Sequence, residues 1–371
     1  MLARLASSLD GGEFRCCVLS LAGPGPVGET LTRHGVDVRW VDVRIPRTIL
    51  GELRRFRAIV RGFRPHLIQG WMYHGNVGAV LASRMLSPRP PVVWGIRQGL
   101  MGRSTERLAT RLAIKVSARL SRFVAASVYA SRESIPEHHQ IGFNEPQVLA
   151  IANGYDLGYL CPRPEQGMRL RQSLAIPADG IVIGHLARFD PVKNHAGLLR
   201  AAALVARAVP SCWFVLAGPG VDQDNQELVA LVNRSGLQRQ VVLLGARDDI
   251  PELMSSFDIF CLSSVSEGFP NALAEASACG IPSVTTDVGE ARTILGDAGY
   301  VVSPDDVNAF AAALIHLATV SPNVRREIGN RARERIGQQF SLDEMLRQYG
   351  QLYRRLAGRV QETGGQVDSA Q

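Results

Sequence analysis

Short apolar runs recur twelve times along this chain of 371 residues, with a segment of helix length between one run and the next. They fall at residues 16–20, 36–43, 66–71, 92–96, 123–128 and 148–152, and again at 181–186, 213–217, 241–244, 259–262, 283–286 and 300–302. Strands spaced by helices make right-handed crossovers, and such crossovers build parallel sheets rather than hairpins. The chain is long for a single hydrophobic core, so the pattern predicts two α/β domains of similar design. The join is expected at Asn153-Gly154-Tyr155-Asp156, a turn-rich stretch at a strand end. The predicted boundaries are 1–152 and 153–340, then a long closing helix over 341–362 and a polar, disordered tail over 363–371.

Composition narrows the class. Hydrophobic residues make up 46% of the chain and charged residues 20%, the balance of a soluble globular protein. No apolar run reaches bilayer length and no charged-apolar-small leader is readable, so a cytoplasmic location is expected. The six cysteines, Cys16, Cys17, Cys161, Cys212, Cys261 and Cys279, form no CxxC pair. Several lie inside strand patterns, which predicts reduced core thiols and neither a disulfide framework nor a metal site.

Charge is unevenly spread. Residues 1–150 carry 21 Lys+Arg against 10 Asp+Glu, a net of +11, whereas the remainder carries 20 against 24, a net of −4. A basic half suits an anionic partner such as lipid headgroups or a lipid-linked phosphate, with a merely solvated surface as the plain alternative. Nucleic acid is not expected, because the arginines are not interleaved with aromatics and no DNA-reading helix pair is evident. Arginine supplies nearly all the positive charge; Lys115 and Lys193 are the only lysines.

The most informative stretch is residues 263–287, SSVSEGFPNALAEASACGIPSVTTD. It follows an apolar strand, places Glu267 against Gly268, Phe269 and Pro270, then enters a helix-like segment with a second carboxylate, Glu275. Pro270 suits a first helical position, Gly280 a helix C-terminus, and Pro282 prevents continuation. Glu267 thus falls in a loop at the carboxyl end of a strand, where open parallel sheets bind ligands, and Glu275 about two turns into the helix. Free N–H groups at that helix start would face an anion. On the residues alone, this pair and two ordinary surface glutamates remain equal readings.

Other loops at strand ends carry complementary groups. Arg188 and Lys193 lie between a strand end and a helix start, a planar fork and a compact ammonium suited to a diphosphate. Arg247 ends another strand on the same edge, where a base could be gripped. His74, in Trp71-Met72-Tyr73-His74-Gly75-Asn76, opens a helix in the first half, with helix capping as the plain alternative. Two further patterns read as structure. Gly23, Gly25 and Gly28 match GxGxxG, but Pro24 and Pro26 lack the N–H groups of a phosphate cradle, so a turn is expected. Asp222 and Asp224 spell DxD, and N-capping of the next helix explains them better than a metal.

Taken together, Arg188 with Lys193-Asn194, Gly218-Pro219-Gly220, Glu267-Gly268-Phe269-Pro270-Asn271 with Glu275, and Asp287-Val288-Gly289 resemble the donor-site motifs of glycosyltransferase family 4. Residues 71–76 and 153–156 resemble its first-domain and hinge motifs. The resemblance implies a GT-B fold, two Rossmann-like parallel-sheet domains facing each other across a cleft, with the closing helix returning to the first. It also implies a retaining hexosyltransferase, EC 2.4, that uses a nucleotide-sugar donor (UDP-sugar favoured over GDP-sugar) without cofactor or essential metal. Arg188 and Lys193 would neutralise the departing diphosphate, Glu275 would bond the ribose, and His74 would contact the sugar. Glu267 and the amides after Gly268 would hold the hexose, in the donor-binding stretch Gly268, Phe269, Pro270 and Asn271.

The implied partners are the donor and a glycan or lipid-linked acceptor of cell-surface polysaccharide biosynthesis, with an anionic membrane surface and peripheral location at the inner membrane face. Family members begin with a strand and a glycine-rich loop before the first helix. Met1 already stands at that helix, so the first domain is expected to lack that strand. The competing readings are a sugar-nucleotide epimerase on the same fold, a two-lobed solute-binding protein, and an inert anion-binding protein.

Overall fold

A computed structural model describes residues 1–44, 48–100 and 108–364 of the protein. The chain divides into two compact units, Met1–Gly154 with the segment from Asp343, and Tyr155–Leu342. The first unit runs α1 (Leu2–Leu9), β1 (Cys17–Ser20), α2 (Gly25–Arg33), β2 (Asp37–Trp40), α3 (Ile49–Phe63), β3 (Ile68–Trp71), α4 (Met72–Arg84), β4 (Val92–Ile96), α5 (Leu108–Leu120), β5 (Ala126–Tyr129), α6 (Ser134–Gln140) and β6 (Val148–Ala150). The second runs α7 (Pro164–Ser173), β7 (Ile181–Leu186), α8 (His195–Ala208), β8 (Cys212–Ala217), α9 (Gln226–Arg234), β9 (Val241–Leu243), α10 (Ile250–Ser255), β10 (Ile259–Leu262), α11 (Asn271–Ala278), β11 (Ser283–Thr286), α12 (Ala291–Leu295), β12 (Gly299–Val302), α13 (Val307–Thr319) and α14 (Pro322–Gln339). The closing helix, α15 (Leu342–Gly364), belongs to the first unit.

Each of the twelve apolar runs forms a strand, and every strand pairing is parallel. In the second unit one six-stranded sheet has the order β12-β11-β10-β7-β8-β9. Its central strands are buried on both faces, which is why they read as continuous apolar runs instead of alternating ones. Ile183, Phe214, Leu216 and Ile259 from the sheet pack with Leu198 of α8 and Leu314 of α13 in one core.

The first unit departs from the expected single sheet. Its strands form two sheets, β1-β2 and β3-β4-β5-β6. Every residue of β1 is half-exposed, whereas β4 and β5 are wholly buried. The two sheets share an apolar cluster in which Leu19 and Ile68 pack on Val41, Phe56, Val60 and Ala82. Tyr353 of α15 donates to Gln69 Oε1 at 3.1 Å. Arg97, just after β4, stacks on the Trp71 ring at 4.6 Å and donates to the Ile151 carbonyl and to Asn153 at 3.3 and 3.2 Å. It also donates to the Tyr349 hydroxyl, so one guanidinium ties α15 to the ends of three strands.

Several local expectations are corrected. Pro270 is the N-cap rather than the first helical residue, and α11 begins at Asn271, so Glu275 stands about one turn in, not two. The cap of α9 is Asn225, whose Oδ1 accepts from Leu228 N at 3.2 Å; Asp222 instead accepts from Asp224 N at 3.1 Å in a turn just before it. The turn at Gly23 and Gly25 is observed, both with positive φ at the start of α2. Of the tail expected to be disordered, residues 363 and 364 continue α15, and 365–371 lie outside the described residues. The six cysteines are free thiols. Among the described residues no single helix is long and apolar enough to cross a membrane, and no cluster of three or more metal-ligating side chains occurs.

Candidate active site

The order of the second sheet creates a reversal. From β7 the chain steps through β8 and β9 on one side, then returns to β10 on the other and continues through β11 and β12. The carboxyl ends of β7 and β10 flank that reversal, the usual ligand position in such sheets. The loop after β7 carries Arg188 and Lys193, and the loop after β10 carries Glu267.

Main-chain contacts lock the two loops together. Val265 N donates to the Val192 carbonyl at 2.8 Å, and the Ser263 hydroxyl donates to the Lys193 carbonyl at 2.9 Å. Asp190 accepts from Val192 N at 3.0 Å, which caps the short 3-10 turn Pro191–Lys193. Burial acts to raise the Asp190 carboxyl, but the Val192 N–H, Arg188 and Lys193 together hold it below the ordinary carboxylate range. Asn194 then takes a left-handed conformation and caps α8, its Oδ1 accepting from Gly197 N at 3.0 Å. A Cβ on Gly197 would stand 2.4 Å from the Asn194 side-chain amide, so a larger residue there would push the capping amide aside.

At the centre Lys193 Nζ meets Glu267 Oε1 at 2.5 Å, with side chains only 15% and 12% exposed. The Ser264 hydroxyl donates to the same carboxylate oxygen at 2.7 Å. Arg188, by contrast, is exposed and touches Asp190 at 3.1 Å, which leaves most of its guanidinium turned to solvent. The structure thus brings Lys193 and Glu267 into contact, whereas Arg188 lies in the same loop as Lys193 and touches only Asp190 among these groups.

The neighbouring loop holds this arrangement in shape. Glu290 N donates to the Gly268 carbonyl at 3.0 Å. Gly289 has φ of +49°, and a Cβ there would stand 2.3 Å from the Gly268 oxygen, so only glycine fits. Gly218, with φ of +141°, packs equally close on the Ala187 carbonyl that precedes Arg188.

The other expected site residues are placed as follows. Glu275 is half-buried on α11. Phe269 is buried, its ring stacked on Tyr155 at 6.3 Å and edge-on to Phe340 at 5.6 Å, so its side chain serves the core and only its main chain is left for a ligand. Asn271 Oδ1 accepts from the Tyr155 hydroxyl at 2.7 Å. Arg247 is held by Asp249 at 2.8 Å, and that carboxylate keeps the guanidinium firmly protonated. His74 lies in the first unit, exposed, as the third residue of α4. The N-cap of α4 is Trp71, which sets the capping alternative for His74 aside.

Sequence reasoning missed the pair beneath Lys193. His185 of β7 and His195 of α8 are buried, ring to ring at 5.0 Å, and no ring nitrogen of either has a hydrogen-bond partner. Burial, reinforced by the Lys193 charge and only partly opposed by Asp190, lowers His195 to about 4. Burial, His195 and Lys193 push His185 well below its ordinary value. Both rings are therefore neutral, and Lys193 is the cation that this loop presents. A histidine inside a strand followed by one beside Asn194 was the available signal, and it indicates spacing without burial.

Comparison with known proteins fits these features. Residues 1–154 match the model of the glycosyl transferase 4-like domain, and residues 180–319 that of glycosyl transferases group 1. N-acetyl-alpha-D-glucosaminyl L-malate synthase of Bacillus anthracis is 29% identical over 187 residues, covering 50% of this chain and 48% of that protein. UDP-Gal:alpha-D-GlcNAc-diphosphoundecaprenol alpha-1,3-galactosyltransferase of Escherichia coli is 27% identical over 194 residues, half of either chain. The matched region thus spans about half the length of these curated relatives. Among solved structures, Anabaena Alr3699/HepE in complex with UDP and glucose matches with a TM-score of 0.82 at 25% identity, covering 95% of this chain and 94% of that one. With two parallel-sheet α/β units and this likeness, the fold is GT-B. The chain belongs to the GT4-like glycosyltransferases, with a glycosyl transferase 4-like domain first and a glycosyl transferases group 1 domain second.

Proposed function

We propose that the protein is a hexosyltransferase that moves a sugar from a nucleotide-sugar, a UDP-sugar in the first instance, to a glycan or lipid-linked acceptor. The observation that carries this reading is the meeting of Lys193 and Glu267 where the sheet order reverses, with Arg188 exposed earlier in the same loop as Lys193. The Anabaena neighbour solved with UDP and glucose supports the donor class. In the reaction the bond from the anomeric carbon to the diphosphate breaks and its electron pair stays on the phosphate oxygen. The acceptor hydroxyl oxygen bonds to that carbon, and its proton passes to the departing phosphate or to water.

Negative charge grows on the diphosphate as the bond breaks, so fixed cations beside it lower the barrier. Lys193 and Arg188 are assigned that work, and Glu267 holds Lys193 in place and contacts the sugar. Glu275 is assigned to the ribose and Arg247 to the base. Gly268 and the main chain through Phe269, Pro270 and Asn271 are assigned to the hexose, and His74 to a sugar contact on the strength of the resemblance alone. No step is assigned to a metal or cofactor. Retention of configuration and a place in cell-surface polysaccharide synthesis at the cytoplasmic membrane face complete the proposal.

The test is to incubate the full chain with UDP- and GDP-hexoses, measure release of nucleoside diphosphate, and determine the anomeric configuration of the product by NMR. Transfer or slow hydrolysis of a UDP-hexose with retention is expected. Inverted product would overturn the stereochemical part. A chain that neither binds nor turns over any nucleotide-sugar would overturn the whole.

A further inference from the structure

Helix α3 carries an outward face that the donor site does not use. Leu50, Leu53, Arg54, Arg57 and Arg61 recur at helical spacing along one side, Arg64 follows as the C-cap, and all are exposed. The adjoining side buries Phe56 and Val60 in the cluster that joins the two sheets. Leu50 is 72% exposed and Leu53 42%, far more than an amphipathic helix on a soluble body requires.

Among the described residues the arginines on this face have no ion-pair partner. The described ion pairs of the first unit join Arg39 to Asp37, Arg44 to Asp42, His139 to Glu145, Arg347 to Glu344 and Arg354 to Glu13. None reaches Arg54, Arg57, Arg61 or Arg64. The helix's own carboxylate, Glu52, is turned to the Asp42 N–H at 3.0 Å. Among the described residues, the one polar contact of these four is a long one of 3.5 Å from Arg61 to the Met85 carbonyl.

We propose that this face of α3 docks on a bilayer containing anionic lipid. Arginine pairs with lipid phosphates, and leucine enters the boundary between headgroups and acyl chains. A soluble polyanion would satisfy the arginines but offers nothing to Leu50 and Leu53, which stand on the same stripe. The inference rests on the proposed activity only in that it names the surface able to bring the protein to a lipid-linked acceptor. Vesicle binding is measured without any sugar donor, so either proposal can fail while the other stands.

The experiment is co-sedimentation of the full chain with vesicles of phosphatidylcholine alone, or with added phosphatidylglycerol. Binding is expected only with the anionic lipid. Each basic residue near such a surface is worth about fivefold in affinity, so Arg57→Glu with Arg61→Glu should weaken binding at least about 20-fold. Leu50→Ser with Leu53→Ser should weaken vesicle binding comparably while leaving retention on heparin unchanged. Thermal melts matching the unaltered chain would show both variants folded. Undiminished vesicle binding by the charge-reversed chain overturns the proposal, as does indifference of vesicle binding to the leucine pair.

Discussion

Lys193 is the residue on which most of the site's chemistry converges. Its ammonium is held by a carboxylate at 2.5 Å on one side and rests over two neutral histidines on the other. Lys193→Ala should lower kcat by about 10²- to 10³-fold, the scale of losing one preorganised charge at a developing anion, with little change in donor Kd. Steady-state kinetics with a UDP-hexose checks this, and an unaltered kcat would remove Lys193 from the reaction. The sequence marked Lys193 because lysine is otherwise rare in this chain, and it marked Glu267 by its place after a strand. It could not show that these two side chains meet, since they stand 74 positions apart and are brought together by the pairing of β7 with β10.

The buried histidines imply a stability change with pH. Folded His195 titrates near 4 and its unfolded counterpart near 6.5. Between those values the unfolded chain binds a proton that the folded chain refuses. Stability is therefore full above pH 6.5 and falls as pH drops toward 4, by up to about 3 kcal/mol from this residue alone. His185 acts in the same direction. Urea unfolding at pH 7.5 and at pH 5 should show the loss, and His195→Leu should flatten it. The same pH slope in that variant would assign the effect elsewhere.

At the scale of the element, the site depends on three loops that brace one another. Gly289, after β11, supports the Glu267-Gly268 peptide and has room for nothing larger. Gly289→Ala combines a left-handed backbone with a clash at 2.3 Å, so it should destabilise the fold by at least about 2 kcal/mol and weaken donor binding as well. A calorimetric melt with a UDP titration reads both, and an unchanged Tm would show that the loop moves aside without cost.

Elements of this kind were readable to different depths. Strands buried on both faces announce themselves as apolar runs, and Gly280 and Pro282 marked the end of α11. The start of α11 was placed less well, because Pro270 fits both the cap and the first helical position. Asn225 was passed over as the cap of α9 because two aspartates stand just ahead of it. The motif placed the Phe269 main chain at the donor and said nothing of its ring, which packs on Tyr155 and Phe340, both distant in sequence.

For the whole molecule, two α/β units and their join were legible because a repeating strand-helix pattern leaves few topologies open. The division of the first unit into two sheets was not, since apolar runs reveal that strands exist and say nothing of which edges meet. Charge was legible only as a sum; that four arginines share one uncompensated face of α3 needed the helix and its neighbours. A whole-molecule consequence of the divided sheets concerns opening rather than binding. Among the described residues β1 bonds only to β2, and β3 only to β4 on its strand edges, so no hydrogen-bond ladder ties the small sheet to the large one. A shared apolar cluster joins them, and such contacts permit a part to detach without the rest unfolding. Amide protons of Val18, Leu19 and Val38 should therefore exchange with deuterium well before those of Trp94 and Val128 under native conditions. Equal protection in a hydrogen-exchange experiment would instead make the first unit a single cooperative body.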